Sequence, residues 1–359
     1  MAKSRDKRIT SQDVAKLAGV SRTTVSFVLN NVEHIRIRPE TRLKVLEAAK
    51  ALGYVPNANA QALVRHRTQT IALVITRSPH HIASDSFLPK IIAGLIEEIQ
   101  PYDLRLLIEW VSVEGQHQAY SQLTRAKRID GLIITTPRLD DVSLGELADG
   151  GMPAVLIGNN PESNLYSVDI DNRSAARLAV EYLIRLGHRR IACITNAPDT
   201  YSAAIQRLHG YLDAIQNAGF EKDETLIRFG NFDPQSGYEQ MHALLQGGPS
   251  FSAVFIASDN VAIGAKAAIR ELGLRVPADI SIVGFDDIPW AKFADPPLTT
   301  IRLPAIELAK TAARMLIGLL RGDYPSSRNV FLEVELVERK SCLPVRDREE
   351  VKSGRYEYL

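Results

Sequence analysis

The segment from Thr10 to Asn31, TSQDVAKLAGVSRTTVSFVLNN, constrains the fold most, because it predicts two short helices joined by a tight turn. Thr10 is placed to cap the first helix, and Asp13 puts a negative charge near its positive end. Gly19 permits the left-handed backbone that a tight turn needs, and Ser21 is placed to cap the second helix. The pattern is that of a helix-turn-helix unit, although an ordinary αα-hairpin shares it.

Helical periodicity of about 100° per residue separates the two faces of these helices. The inward face carries the apolar residues Val14, Leu17, Ala18, Val25, Val28 and Leu29. The outward face of the second helix then carries Arg22, Thr23, Ser26 and Phe27. A different helix phase would instead bury Phe27 in the core of the unit.

A third helix is predicted over residues 39–52, where Pro39 suits the first helical position and Gly53 can end the helix. Its apolar stripe, Leu43, Leu46, Ala49 and Leu52, can cover the first two helices. Pro56 then breaks the chain, and Asn57 can cap a further short helix. A helix this short is marginal in water, so we expect it to form against DNA or a partner chain.

Charge is distributed unevenly along the chain. Residues 1–67 hold 13 Lys or Arg and 5 Asp or Glu, a net charge of +8, and the remaining residues hold 30 and 37, a net charge of −7. A basic head on an acidic body is the electrostatic pattern of a nucleic-acid reader, because cations that neutralise phosphates supply most non-specific affinity. Its coincidence with the two-helix unit favours DNA binding over a merely solvated basic face.

From Gln69 onward, apolar runs of strand length alternate with amphipathic helical segments. Continuous apolar strands between such helices predict parallel, doubly wound sheets covered on both faces, and the length suits two lobes. The strands are expected at 70–76, 130–136, 154–159, 189–195, 253–259 and 281–287, and the clearest helices at 89–100, 174–188, 205–219, 262–273 and 305–320. The charged tail, residues 346–359, lacks leucine heptads and is expected to be disordered.

The motifs DVAKLAGVS, TTVSFVLNN and PETRLKVLEAAKALGYVPNANAQAL closely resemble the DNA-binding head of the LacI/GalR family of bacterial transcription regulators, and the resemblance covers nearly the whole chain. It implies an all-α head at 1–56, a hinge at 57–68 and a two-lobed, periplasmic-binding-protein-like α/β body at 69–345. It also implies a homodimer on a pseudo-palindromic operator, and three chain crossings between the lobes. We place these crossings near Leu165, 288–303 and 322–330.

The resemblance also implies which residues contact DNA. Arg22 and Thr23 hold positions that read base edges, and Leu63 holds the position of a minor-groove wedge. Phe27 stands where the family usually has an arginine, and Arg38 replaces the usual serine cap. The full expected set is Thr10, Ser21, Arg22, Thr23, Thr24, Ser26, Phe27, Asn30, Arg38, Tyr54, Asn57, Ala60 and Leu63.

Polar residues after the strands predict an effector cleft, because ligands of open parallel sheets bind beyond the carboxyl ends of the strands. Carboxylates, amides and a guanidinium around an aromatic ring suit a ligand rich in vicinal hydroxyls. The resemblance assigns effector contact to Arg207, Asp286 and Phe232. The expected set is Phe87, Asn159, Asp171, Arg207, Phe232, Ser258 and Asp286.

Several of these residues have a plain structural alternative. Arg207 could hold an ion pair, Asp287 is favoured as a cap or turn residue, and Trp290 could pack the hinge. His80 and His81 have no partner at metal-ligand spacing except Asp85, which favours a loop over a metal site.

The expected function is an effector-controlled repressor of carbohydrate uptake or catabolism that a sugar-type effector releases from DNA. A co-repressor logic with a purine-like ligand stays open, as does, from another class, a sugar-binding receptor without DNA activity. The sequence has no GxxxxGK[ST], HExxH or GxSxG motif of common enzymes. The amino terminus has no apolar run for a signal peptide, and Cys193 and Cys342 give no disulfide framework. We therefore expect a cytoplasmic protein without metal, cofactor or membrane partner.

Overall fold

The computed structural model describes residues 9–30, 35–55, 67–112, 115–247 and 250–345. They form two compact units. The first unit comprises the described residues up to Thr70 together with Lys127–Asp130, and the second comprises Ile71–Ala126 and the described residues from Gly131 onward. The first unit contains the predicted head, and the second contains both predicted lobes.

The head contains three helices with the predicted caps: α1 Ser11–Ala18, α2 Arg22–Leu29 and α3 Pro39–Ala51. The Asp13 carboxylate accepts from the backbone N and the Oγ1 of Thr10, at 2.9 and 2.7 Å. Gly19 ends α1 at a φ of 66°, and Ser21 Oγ accepts from Thr24 N at 3.1 Å. The helix-turn-helix geometry is therefore fixed by contacts within one short segment.

The core of the head differs from the predicted one on α3. Its buried residues are Val14, Ala15, Val25, Val28, Val45, Ala48 and Ala49. Of the predicted stripe on α3, Ala49 and Leu52 pack inward as expected, whereas Leu43 is 57% exposed and Leu46 is 47% exposed. Leu17 on α1, also predicted to face inward, is 57% exposed. Helix α3 turns Val45, Ala48, Ala49 and Leu52 inward at i, i+3, i+4 and i+7 spacing. This spacing leaves Leu43 and Leu46 on the outer side of the helix. Phe27 is half-buried and lies outside this core.

Two six-stranded sheets build the body, one in each lobe, with strand orders β11-β5-β4-β3-β1-β2 and β12-β10-β9-β8-β6-β7. All six predicted strands are confirmed, and each is one to three residues shorter than expected. Among the pairings, β12 runs antiparallel to β10, while β9 and β10 are parallel. The strands are β1 Thr70–Ile75, β2 Arg105–Trp110, β3 Gly131–Thr135, β4 Ala154–Ile157, β5 Tyr166–Ile170, β6 Ile191–Ile194, β7 Ile227–Arg228, β8 Ala253–Ile256, β9 Ser281–Asp286, β10 Thr299–Arg302, β11 Asn329–Leu332 and β12 Glu335–Val337.

Helices cover these sheets, and the five predicted body helices are confirmed. A short helix also occupies the segment around His80 and His81, where a loop was predicted. The body helices are α4 Pro79–Ala83, α5 Leu88–Ile99, α6 Gln116–Arg125, α7 Ser143–Asp149, α8 Asn172–Arg185, α9 Ser202–Asn217, α10 Pro234–Gly247, α11 Asp259–Glu271 and α12 Ala305–Arg321. No helix within the described ranges is long and apolar enough to cross a membrane.

The chain crosses between the lobes three times, as expected, and one of the three positions agrees with the prediction. Strand β5 belongs to the first sheet, while α8 packs on α9 and on β9 of the second. Helix α12 packs on α5 and β4 of the first lobe. The crossings therefore fall at 170–172, 302–305 and 332–335. The second overlaps the expected 288–303, whereas the first and third lie a few residues beyond the positions expected near Leu165 and 322–330. Each lies where an edge strand or its neighbour ends, which only the sheet order reveals.

Candidate functional site

The exposed face of α2 in the head carries the predicted base-reading residues. Arg22 and Thr23 are exposed, and Phe27 and Ser26 are half-buried beside them. Arg22 Nε donates to Ser11 Oγ on α1 at 3.0 Å, which holds the guanidinium by one nitrogen. The terminal nitrogens of Arg22 are the pair that can read a guanine bidentately.

Other predicted DNA contacts take part in the structure of the head itself. The Ser21 and Thr24 hydroxyls are bonded to each other at 2.9 Å, and Asn30 Nδ2 donates to Ser26 Oγ at 3.1 Å. Tyr54 packs partly on the core. Arg38 is exposed and makes no capping bond to α3, in keeping with the loss of the usual serine. Asn57, Ala60, Leu63 and the tail 346–359 lie outside the described residues.

A ligand-sized cavity lies between the two lobes of the body, at the carboxyl ends of their parallel strands. Of the seven predicted effector contacts, five line it: Phe87, Arg207, Phe232, Ser258 and Asp286. Further polar lining comes from Arg77, Asp85, Thr136, Asp169, Asn172, Asn196 and Tyr201. Both sheets thus contribute strand-end side chains to one enclosed site.

Arg207 is a buried cation of this cleft, held by several contacts. Its Nε donates to Asn172 Oδ1 at 2.9 Å, and its Nη1 donates to Ala257 O at 2.7 Å and lies 3.7 Å from Asp286 Oδ1. Burial lowers the pKa of Arg207, and the neighbouring carboxylates, Asp286 first, oppose this shift. The arginine is therefore both a structural ion-pair partner and a lining group with a fixed orientation.

Asp286 stands opposite Arg207 at the end of β9. Its φ of 114° is unusual for a residue with a side chain, and such strain is typical of functional positions. Asp286 Oδ2 accepts from Ser258 Oγ at 3.1 Å. Burial raises the pKa of Asp286 to about 6 against the opposing charge of Arg207, and burial also raises the pKa of Asp169 to about 6. Both carboxyl groups therefore change charge close to neutral pH.

A buried carboxylate behind the site supports this end of β9. Asp259 accepts from Ile288 N at 3.0 Å and from Thr300 Oγ1 at 2.7 Å. Asp287 points elsewhere and pairs with Arg302 at 2.7 Å and with Arg339 at 2.6 Å. It is thus an ion-pair partner of two arginines rather than a helix cap, and it does not line the cavity. Trp290 is 66% exposed and also lies off the cavity lining.

Two predicted effector contacts, Asp171 and Asn159, do not line the cavity. The Asp171 side chain caps α8 by accepting from Ser174 N at 2.9 Å, and Asp169 and Asn172 line the site instead. Asn159 follows Gly158, which has a φ of 107° and packs so closely on Pro137 that a Cβ would come within 2.6 Å of it. This tight turn puts Gly158 at the cavity and Asn159 outside it.

An arginine and several aromatic rings surround Phe232 on the cleft. Arg77 is 4% exposed, forms an ion pair with Asp85 and lies 4.9 Å from the ring centroid of Phe232. Tyr201 meets the same ring edge-on at 4.9 Å. His81 lies 5.6 Å from it, and its Nε2 is 3.7 Å from Asp233. Burial lowers the pKa of His81, which leaves the neutral form favoured.

Three lining residues that were not predicted lie within two residues of the end of a strand. Arg77 and Asn196 come two residues after β1 and β6, and Thr136 comes immediately after β3. The strand-end rule that found Ser258 and Asp286 applies equally to them. A consistent use of that rule at every predicted strand would have included all three.

Comparison with known proteins matches both units. The family model "Bacterial regulatory proteins, lacI family" matches residues 10–57, and "Periplasmic binding protein-like domain" matches residues 180–342. The regulator CelR of Thermobifida fusca is 36% identical over 340 residues, which cover 94% of this chain and 99% of CelR. A structure of a CelR–cellobiose complex aligns with a TM-score of 0.71 at 35% identity, covering 93% of this chain and 100% of that one.

A structure of the lac repressor dimer, bound to operator and the anti-inducer ONPF, aligns with a TM-score of 0.83 at 32% identity, covering 94% of this chain and 100% of that one. Head, cleft and these full-length similarities define a ligand-responsive, sequence-specific DNA-binding transcription regulator. The chain belongs to the LacI family of bacterial regulatory proteins.

Proposed function

We propose that this regulator is a repressor of carbohydrate uptake or catabolic genes, and that a neutral sugar in the cleft releases it from its operator. The observation that carries this proposal is the constellation of Arg207, Asp286, Asn172 and Ser258 in one enclosed cavity. Adjacent sugar hydroxyls both donate and accept hydrogen bonds, so they match carboxylate, amide and guanidinium groups held in fixed positions.

The charge of the lining favours an uncharged ligand. Two guanidinium groups, of Arg77 and Arg207, face the carboxyl groups of Asp85, Asp169 and Asp286. The cations are already paired with these acids, at Arg77–Asp85 and Arg207–Asp286. An anionic ligand would have to compete with the resident carboxylates. The complex of CelR with cellobiose supports a sugar as the class of effector.

The contacts proposed for the effector are the five predicted lining residues. Phe87, Arg207, Phe232, Ser258 and Asp286 would bind the ligand, and the exposed face of α2 would read the operator through Arg22, Thr23 and Phe27. A homodimer would place two heads on a two-fold operator, as in the lac repressor dimer on its operator. The protein would act by binding alone, without catalysis, in the cytoplasm where its operator lies.

The aromatic geometry weighs against the purine-like co-repressor. A flat base favours parallel rings on its two faces, whereas Phe232 meets Tyr201 at 88° and His81 at 49°. One face of Phe232 is also occupied by the Arg77 guanidinium. This arrangement leaves at most one face of Phe232 for a stacked base.

The test combines ligand stabilisation with operator release. A thermal-shift screen of the full-length protein against mono- and disaccharides and nucleobases should show a rise in melting temperature with a sugar, because a ligand of the native state stabilises it. The same sugar should then weaken operator binding in a gel-shift assay. Tighter operator binding in the presence of a nucleobase would instead establish the co-repressor logic and overturn the proposal.

A further inference from the structure

The cleft is longer than the part that Arg207 and Asp286 occupy. In the first sheet, Asp169 lies at the end of β5, and Arg77 follows β1, three strands away in the order β5-β4-β3-β1. In the second sheet, Asp286 ends β9, and Phe232 follows β7, three strands away in the order β9-β8-β6-β7. Three inter-strand spacings amount to about 14 Å, which is longer than one pyranose ring.

We define the inner half of the cleft by Asp169, Asn172, Arg207, Ser258 and Asp286. Its polar groups are bonded to one another: Arg207 to Asn172, and Ser258 to Asp286. The outer half is defined by Arg77, Thr136, Asn196, Tyr201 and Phe232, which follow β1, β3, β6 and β7 or lie close after them.

The outer half contains polar atoms that lack partners. Within the described part of the chain, Arg77 Nε, Thr136 Oγ1 and Asn196 Oδ1 are buried and have no hydrogen-bond partner. Buried polar groups are otherwise almost always paired, so such atoms call for a reason. These three come from both lobes and belong to residues that line one cavity. They are a donor, a hydroxyl and an acceptor, the combination that the hydroxyl groups of a sugar satisfy.

We propose that the outer half is a second sugar subsite, and that the effector is a neutral disaccharide whose two rings lie side by side along the cleft. This inference rests on the proposed function and adds to it the size of the ligand. One ring would bond the inner half, and the other would bond Arg77, Thr136 and Asn196 beside the ring of Phe232.

The ion pair of Arg77 indicates the chemistry of the ligand part that the outer half would bind. Because Asp85 already neutralises the guanidinium, a phosphate or carboxylate in the outer half would find no uncompensated charge. A neutral ring can use Nε without displacing Asp85. A disaccharide is therefore favoured over a sugar phosphate of similar length.

The test compares matched ligands on matched variants. Calorimetric titration of the full-length protein would use glucose, galactose, cellobiose, maltose, lactose and glucose 6-phosphate. We expect at least one disaccharide to bind tenfold or more tightly than either of its component monosaccharides and than glucose 6-phosphate. Thr136→Val should lower the affinity for that disaccharide about three- to tenfold and change monosaccharide affinity less than about twofold.

Ser258→Ala is the matched control in the inner half, and it should weaken both classes of sugar alike. Thr136→Val should leave the melting temperature of the free protein unchanged, because the hydroxyl that it removes has no partner. Equal affinity for mono- and disaccharides, or equal losses for both in Thr136→Val, would overturn the second subsite alone. Failure of every sugar to bind a protein that still binds its operator would overturn the proposed function and this inference together.

Discussion

The head presents Arg22 and Thr23 on an exposed helix face, whereas the body holds Arg207 and Asp286 in a largely enclosed cleft. The base-reading face expected for the head lies on the single helix α2, where one side-chain bond joins Arg22 to Ser11 of α1. The cleft takes its residues from strand ends that are far apart in sequence, such as Asn172 and Asp286, and bonds them into a network.

This difference follows from what each partner provides. DNA is large and charged, so an exposed arginine gains affinity from phosphates and specificity from base edges without burial. A small neutral ligand carries no charge that attracts an exposed arginine. Its hydroxyl groups are recognised only where water is excluded and partners are preorganised. Substitutions in the two regions should therefore affect different measurements.

Among these substitutions, Arg207→Ala should have the largest effect, and it should act on sugar binding only. It should lower sugar affinity by about 3 kcal/mol, roughly a hundredfold, because it removes charge-assisted hydrogen bonds and leaves buried carboxyl groups unpaired. Operator affinity without sugar should stay within about twofold in a gel-shift assay. Arg173→Ala, which breaks an exposed ion pair with Asp213, is the matched arginine control and should leave both measurements unchanged.

Arg22→Ala should produce the next largest effect, on the other region. Loss of a bidentate base contact should weaken specific operator binding by about 1–3 kcal/mol, measured by titration at fixed salt concentration. Arg22→Lys keeps the charge but not the planar fork, so it should retain non-specific binding and still lose specificity. Sugar affinity should be unchanged in both variants. Full operator specificity in Arg22→Lys would contradict the base-reading role.

A change of pH should affect the cleft more than the head. Because the pKa values of Asp286 and Asp169 are raised to about 6, acidification protonates acceptors for sugar hydroxyls. Sugar affinity should fall as the pH drops through 6, by about tenfold at pH 5 relative to pH 7 if one carboxylate is required. Calorimetric titration at both pH values measures this fall in affinity. In Asp286→Asn the sugar affinity should depend less on pH.

The same two groups should affect stability in the opposite direction. Their folded pKa values lie above those of the unfolded chain, so the folded state binds protons more tightly. Their contribution to the free energy of unfolding is therefore present below about pH 4 and is lost as the pH rises through 6. A loss of sugar affinity at pH 5 that accompanied unfolding would contradict this account, and a thermal melt at each pH distinguishes the two.

Ser11→Ala should give the smallest effect. It removes the acceptor that holds Arg22 Nε, so operator affinity should fall about two- to tenfold while the head keeps its fold. Selection of preferred operator sequences should show weaker discrimination at the base pair that Arg22 reads. Unchanged discrimination would mean that α2 alone orients this arginine.

The elements that the sequence predicted well are those whose signals are local. The caps at Thr10 and Ser21 and the glycine turn at Gly19 depend on neighbours within four residues. The central strands β1, β3 and β8 are buried along almost all of their length and show as continuous apolar runs. The edge strands β2 and β11 alternate between exposed and half-buried residues, so they were missed.

The sequence by itself thus determined the helix-turn-helix head, the two-lobed α/β body and the class of residue at the strand ends, because periodicity and capping act over a few residues. Tertiary structure alone decided which residue of each strand end enters the cleft. Asp171 caps a helix, and the turn at Gly158 places Asn159 outside the cleft. Arg77 and Asn196, from separate lobes, line the same cavity. Such choices depend on how loops close and lobes meet, and these are contacts between segments far apart in the chain.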